Sequence, residues 1–100
     1  MSQTVKVFPG ALKELCDAVS KVRDPLLIED FLNSLLTKKE LAEVSSRWAL
    51  VRLIDEGVSQ RQIASRLGLS LCKITRGSKE LKKENSSFSR VIDIYKDNNG

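Results

Sequence analysis

Residues 59–76, Ser-Gln-Arg-Gln-Ile-Ala-Ser-Arg-Leu-Gly-Leu-Ser-Leu-Cys-Lys-Ile-Thr-Arg, constrain the fold most, because their spacing specifies two short helices around a tight corner. Ser59 is placed to cap the first helix, and Ile63, Ala64 and Leu67 give that helix one apolar face with a small residue at the crossing. Gly68 ends it, since glycine takes the left-handed conformation that closes a helix without steric cost. Leu69 fills the corner, Ser70 caps the second helix, and Leu71 and Ile74 are expected to face inward. A unit of this kind lays its second helix in the major groove of DNA.

Any helical hairpin needs a glycine corner and apolar faces, so charge has to separate a DNA reader from a packing motif. Residues 59–83 hold Arg61, Arg66, Lys73, Arg76, Lys79, Lys82 and Lys83 against the single acid Glu80, a local balance of +6, whereas the whole chain carries only +4. All of the positive excess lies in this quarter of the sequence. That concentration suits cations that displace counterions from nucleic-acid phosphates, while a merely solvated face mixes its signs.

One hundred residues with 41% apolar side chains and five aromatics allow one small domain with a lean core, a size at which dimerisation is common. No run approaches the roughly 18 apolar residues of a membrane span, and Met-Ser-Gln-Thr-Val-Lys-Val at the amino terminus is no secretory segment. A cytoplasmic location without membrane association is expected. Cys16 and Cys72 then read as free thiols, and with no histidine and no Cys-x-x-Cys no metal site is expected. The same lack of histidine removes the commonest base for a serine or cysteine nucleophile, and no acidic pair sits in an apolar setting. No catalytic residues are assigned and no enzyme is expected.

Elsewhere the periodicity is helical throughout. Residues 1–9 read as a loose arm; Leu12, Leu15, Cys16, Val19 and Val22 then recur at helical spacing until Asp24-Pro25 stops them. Pro25 starts a second helix with Ile28, Phe31, Leu32, Leu35 and Leu36 as its stripe. Thr37-Lys38-Lys39-Glu40 has the spacing of a capping box, and a third, longest helix runs through Leu41, Val44, Trp48, Val51 and Ile54 to Gly57. After the polar link around Lys82–Ser87, Phe88, Val91, Ile92 and Tyr95 align on a last helix over 87–96, and the tail beyond should fray. The reading is all-α, with six helices in one domain over 1–100: dimerisation helices over 10–57, the helix-turn-helix over 59–83 and a last dimerisation helix. Too many apolar stripes for one short chain imply a homodimer whose first, second and last helices pack across the partner, a symmetry that suits palindromic DNA. Leu71, Cys72, Lys73 and Thr75, at the start of the second motif helix, are the candidates for base edges, Lys73 being the best donor.

At Leu36-Thr37, Arg47, Ser59-Gln60-Arg61 and above all Ile74-Thr75-Arg76-Gly77-Ser78-Lys79-Glu80-Leu81-Lys82, the chain resembles the bacterial tryptophan repressor family over roughly residues 25–83. That family is itself a type example of helix-turn-helix docking and of water-mediated base reading. The resemblance implies an intertwined all-helical homodimer that represses tryptophan biosynthesis or salvage genes, binding operator DNA when L-tryptophan, a corepressor rather than a cofactor, fills a pocket beside each reading head. Carried over, Arg47 and Arg76 sandwich the indole, Arg76 and Thr37 hold the carboxylate, and Gly77 gives room. The main-chain carbonyls of Ser34 and Leu36 meet the ammonium group, together with Glu80, which stands where the family has a serine. Arg61, Arg76 and Lys82 match phosphate-contacting positions, with Gln60 and Ser78 beside them. Cys72 and Lys73 are larger or charged where the family has small residues, which implies an altered operator preference, and the link near Gly57-Val58 is one residue shorter.

The residues add a hint of their own. Gly77 lies inside the second motif helix, where glycine costs about 1 kcal/mol relative to alanine, so it serves either close packing or a slot for a flat ring between two guanidinium planes. Two other functions stay open: a ligand-independent helix-turn-helix DNA-binding protein, and a helical protein-interaction module.

Overall fold

The computed structural model describes residues 9–99, so the arm expected over 1–9 lies, apart from Pro9, outside the described residues. Regular structure among the described residues is entirely helical: α1 (Ala11–Ser20), α2 (Pro25–Leu35), α3 (Lys38–Asp55), α4 (Gln60–Leu67), α5 (Leu71–Lys82) and α6 (Ser87–Asn99). These six helices match the sequence reading in number and order. The described residues divide into two compact units between Lys38 and Lys39.

In the first unit, Gly10 opens α1 with φ +83°, and the helix closes at Lys21, one residue before Val22. The stripe expected to include Val22 therefore ends at Val19, and Val22 is half-buried in the link. Asp24 caps α2 by accepting from the Leu26 amide at 3.0 Å, and Pro25 occupies the first helical position, where its missing N–H costs nothing. Neither α1 nor α2 contains a buried residue, and Leu12 and Leu26 are exposed to 72% and 75%. Of the two apolar stripes, Leu15, Val19, Ile28 and Leu32 are half-buried and none is fully covered.

The second unit is built on α3. Its apolar residues, among them Leu41, Val44, Trp48, Leu50, Val51, Leu53 and Ile54, surround the helix rather than forming the single stripe the sequence suggested, the pattern of a helix with neighbours on several sides. Leu50 and Val51 are the buried ones, while Val44 is 48% exposed. Past Asp55 the chain turns through Gly57 at φ +84°, with the Gly57 amide donating to the Ile54 carbonyl and that of Val58 to Leu53, each at 3.0 Å. These bonds satisfy carbonyls the helix end would otherwise strand.

The hairpin of α4 and α5 forms as the caps dictate. Ser59 Oγ accepts from the Gln62 amide at 3.2 Å, Ser70 Oγ from the Lys73 amide at 3.3 Å, and Gly68 closes α4 at φ +64° with its amide on the Ala64 carbonyl. Leu50, Ile63 and Ile74 are the buried centre, with Leu53, Ile54, Val58, Ala64, Leu67 and Leu69 packed around it. Leu71 is a correction: it is 61% exposed rather than inward, because it is the first helical residue after the Ser70 cap, while the inward line of α5 runs through Ile74 and Gly77.

Ser86, itself buried, accepts from the Ser89 amide at 3.2 Å and starts α6, whose Ile92 is fully buried. Tyr95 meets Trp48 edge-on at 6.4 Å between ring centroids, Arg52 lies over the Tyr95 ring at 5.3 Å, and Lys96 pairs with Asp55 at 2.6 Å. Two turns of α3 are thereby tied to α6. The tail expected to fray is helical through Asn99, since Asp97, Asn98 and Asn99 are weak helix formers but not breakers.

Candidate ligand cavity and nucleic-acid interface

Within the second unit a cavity of about 680 Å³ opens between α3 and α5. From α3 it takes Lys39, Ala42, Glu43, Ser46, Arg47, Leu50 and Val51, residues three or four apart on one face; from α5 it takes Lys73, Arg76, Gly77 and Glu80, spaced in the same way. Leu69 and Phe88 complete the wall. Arg47, Arg76, Gly77 and Glu80, four of the residues expected to form a ligand site, thus line one space. Ser34, Leu36 and Thr37 belong to the first unit: Ser34 lies in the last turn of α2, Leu36 caps it in extended geometry, and Thr37 directly precedes α3.

Gly77 is buried, and the space beneath it is taken. A Cβ there would lie 2.8 Å from Leu50 Cδ2, 3.1 Å from its Cγ and 3.6 Å from Ile54 Cδ1. The glycine therefore serves close packing of α5 on α3 as well as lining the cavity, which lies beside the Leu50 contact rather than directly under the missing side chain. Glu80, the expected ammonium acceptor, has its carboxylate 2.7 Å from Lys83 Nζ one turn on, an exposed pair. Such pairs contribute about 0–1 kcal/mol, so the bond orients Glu80 more than it stabilises the helix.

The candidate DNA-binding residues are spread along the hairpin. Gln60 and Arg61 stand in the first turn of α4; Leu71, Cys72 and Lys73 form the first turn of α5, followed by Thr75 and Arg76, with Lys82 as its last residue. All of these are exposed, and Ser78 is half-buried. Among the described residues Arg61, Arg66, Lys73, Arg76, Lys79 and Lys82 are in no ion pair, so their charge faces solvent undiminished; only Lys83 of the seven cations is paired. Cys16 and Cys72 are free and exposed. No group of side chains that could hold a metal ion is found among the described residues, and no described helix is long and apolar enough to cross a membrane.

Residues 10–95 match the family model described as Trp repressor protein. The chain belongs to the Trp repressor family. It is 37% identical over 84 residues to a Trp operon repressor homolog of Chlamydia caviae, covering 83% of this chain and 80% of the relative. A homolog of the same name from Chlamydia trachomatis serovar L2 is 34% identical over 74 residues, 73% of this chain and 79% of that one. A third, from Xylella fastidiosa M23, is 33% identical over 81 residues, covering 80% and 84%. No solved structure matches the chain.

Against this Trp repressor frame the cavity holds polar residues that sequence reasoning had not connected with a ligand: Lys39, Glu43 and Ser46 on α3, and Lys73, assigned to base edges alone. The available signal was the run Lys39, Glu43, Arg47 at every fourth position, which puts all three on the face that carries the arginine.

Proposed function

We propose that this chain is a tryptophan-dependent transcriptional repressor, which takes L-tryptophan as corepressor and then binds operator double-stranded DNA as a homodimer through α4 and α5. The observation that carries the reading is the shared cavity: Arg47 from α3 and Arg76, Gly77 and Glu80 from the reading helix line one space, so an occupant touches the helix that meets the duplex. In this reading the ring lies between the two guanidinium groups, its carboxylate on Arg76 and its ammonium toward Glu80. Leu71, Cys72, Lys73 and Thr75 meet base edges, while Gln60, Arg61, Arg76, Ser78 and Lys82 meet backbone. The regulated genes are those of tryptophan biosynthesis or salvage, and the protein works in the cytoplasm.

Dimerisation is supported by what one chain leaves uncovered. Leu26, Leu27, Phe31 and Leu35 on α2 and Val91, Ile94 and Tyr95 on α6 are each at least 36% exposed, in a chain whose buried apolar set is Leu50, Val51, Ile63, Ile74 and Ile92 among the described residues. So small a core is marginal for an independent domain.

Ligand and DNA share Arg76, so occupancy and operator affinity are coupled reciprocally. Gel shifts with and without L-tryptophan test this directly: tighter operator binding in its presence is expected, and equal affinity in both lanes rejects the corepressor role. A ligand-independent DNA-binding protein is the second reading, favoured by the packing of Leu50 where a ring would gain most from Gly77. Calorimetry with L-tryptophan separates the two.

A further inference from the structure

The cavity is lined by four cations, Lys39, Arg47, Lys73 and Arg76, and by two carboxylates, Glu43 and Glu80. An α-amino acid carries both charges, so each end needs a partner of opposite sign. Cations for the carboxylate are in excess. For the ammonium, the two acids are not equivalent. Glu80 already has Lys83 Nζ at 2.7 Å, and an ammonium there must displace or share that bond. Glu43 stands one turn from Lys39 and one turn from Arg47 on the same face of α3, yet it forms an ion pair with neither. Its carboxylate is exposed at the cavity wall and in no ion pair, and Arg47, which lines the same space, is one helical turn, roughly 5–6 Å, away.

We propose that Glu43 is the residue that accepts the ammonium group of the bound amino acid, and so decides that this cavity takes a zwitterion rather than an aromatic acid without an amine. The inference rests on the corepressor reading above and moves the principal ammonium contact from Glu80 to α3. Glu43 then meets the ammonium from α3, Arg47 one turn on along the same helix stacks on the ring, and Arg76 of α5 meets the carboxylate. Removing the carboxylate charge at 43 leaves the ring and carboxylate contacts untouched, so the loss falls on ligands that carry an amine.

The test is isothermal calorimetry on the full chain with two probes, L-tryptophan and indole-3-propionate, which keeps ring and carboxylate but lacks the amine. Wild type, Glu43→Gln and Glu80→Gln are compared, the folded state of each being checked by its urea midpoint. Glu43→Gln is expected to weaken L-tryptophan about tenfold, the loss of one charge-assisted hydrogen bond, while indole-3-propionate changes by less than twofold. Glu80→Gln, whose carboxylate is already shared with Lys83, should lower the ratio of the two affinities by about two- to threefold, clearly less than Glu43→Gln. The assignment is overturned if Glu43→Gln leaves that ratio unchanged, or if Glu80→Gln lowers it as much. A wild-type chain that binds neither probe overturns the corepressor reading itself.

Discussion

Leu50 Cδ2 lies 2.8 Å from the point that a Cβ on residue 77 would occupy, closer than such carbons approach one another in folded proteins. Glycine at 77 thus lets α5 sit down on α3, and the same close approach leaves the cavity walled by both helices. Packing and the cavity wall draw on one missing methyl group.

Replacing Gly77 with Ala sets two effects against each other. Helix propensity gains about 1 kcal/mol, while overpacking against buried Leu50 costs about 1–3 kcal/mol, for a net destabilisation of about 1 kcal/mol. Leu50 has the cavity to move into, so the fold survives but the cavity shrinks. Urea denaturation should show the small loss, and calorimetry a fall in L-tryptophan affinity of more than about tenfold, or about 1.4 kcal/mol. Unchanged affinity would mean that the ligand does not use this wall.

Ile74 and Leu71, one turn apart on α5, should separate stability from recognition. Ile74 is fully buried against Leu50 and Ile63, so Ile74→Ala should cost about 2–4 kcal/mol and leave much of this small protein unfolded. Leu71 is 61% exposed, and Leu71→Ala should change stability by less than about 0.5 kcal/mol while weakening operator binding in gel shifts. Thermal melts of the two variants decide whether Leu71 belongs to the core after all.

Lys82, exposed at the last position of α5 and in no ion pair, is expected to contact phosphate. Lys82→Ala should weaken binding to operator and to unrelated duplexes alike, and should lower the slope of log affinity against log salt by about one. A loss confined to the operator would assign Lys82 to base reading instead.

Ile94 is 60% exposed on α6, a poor position for an isoleucine in a lone chain. Ile94→Asp should shift the protein toward monomer in sedimentation equilibrium, lower its urea midpoint in a concentration-dependent way, and weaken DNA binding with it. A wild type that sediments as a monomer at micromolar concentration would remove dimerisation from the proposed function.

Features set by a few neighbouring residues were legible in the sequence: Asp24-Pro25, Ser59, Gly68 and Ser70 start and stop helices through bonds reaching at most four residues. What depended on tertiary placement was not. Leu71 has the right spacing from Ile74 to face inward, but its place just after the cap leaves it exposed. The single stripe expected along α3 is instead apolar residues around the helix, because several neighbours share it. Glu43 carries only the weak local signal of standing four residues before Arg47, and its place at a cavity wall depends on α3 and α5 enclosing a common space. Arg47, Arg76 and Gly77 are marked by the family resemblance; that Leu50 occupies the room beside Gly77 is a matter of shape, which no motif records.

Ile63 of α4 and Ile74 of α5 both pack with Leu50 of α3 in one buried cluster. The two helices thus share one seat on α3, so a change of side chain at position 50 reaches both of them at once.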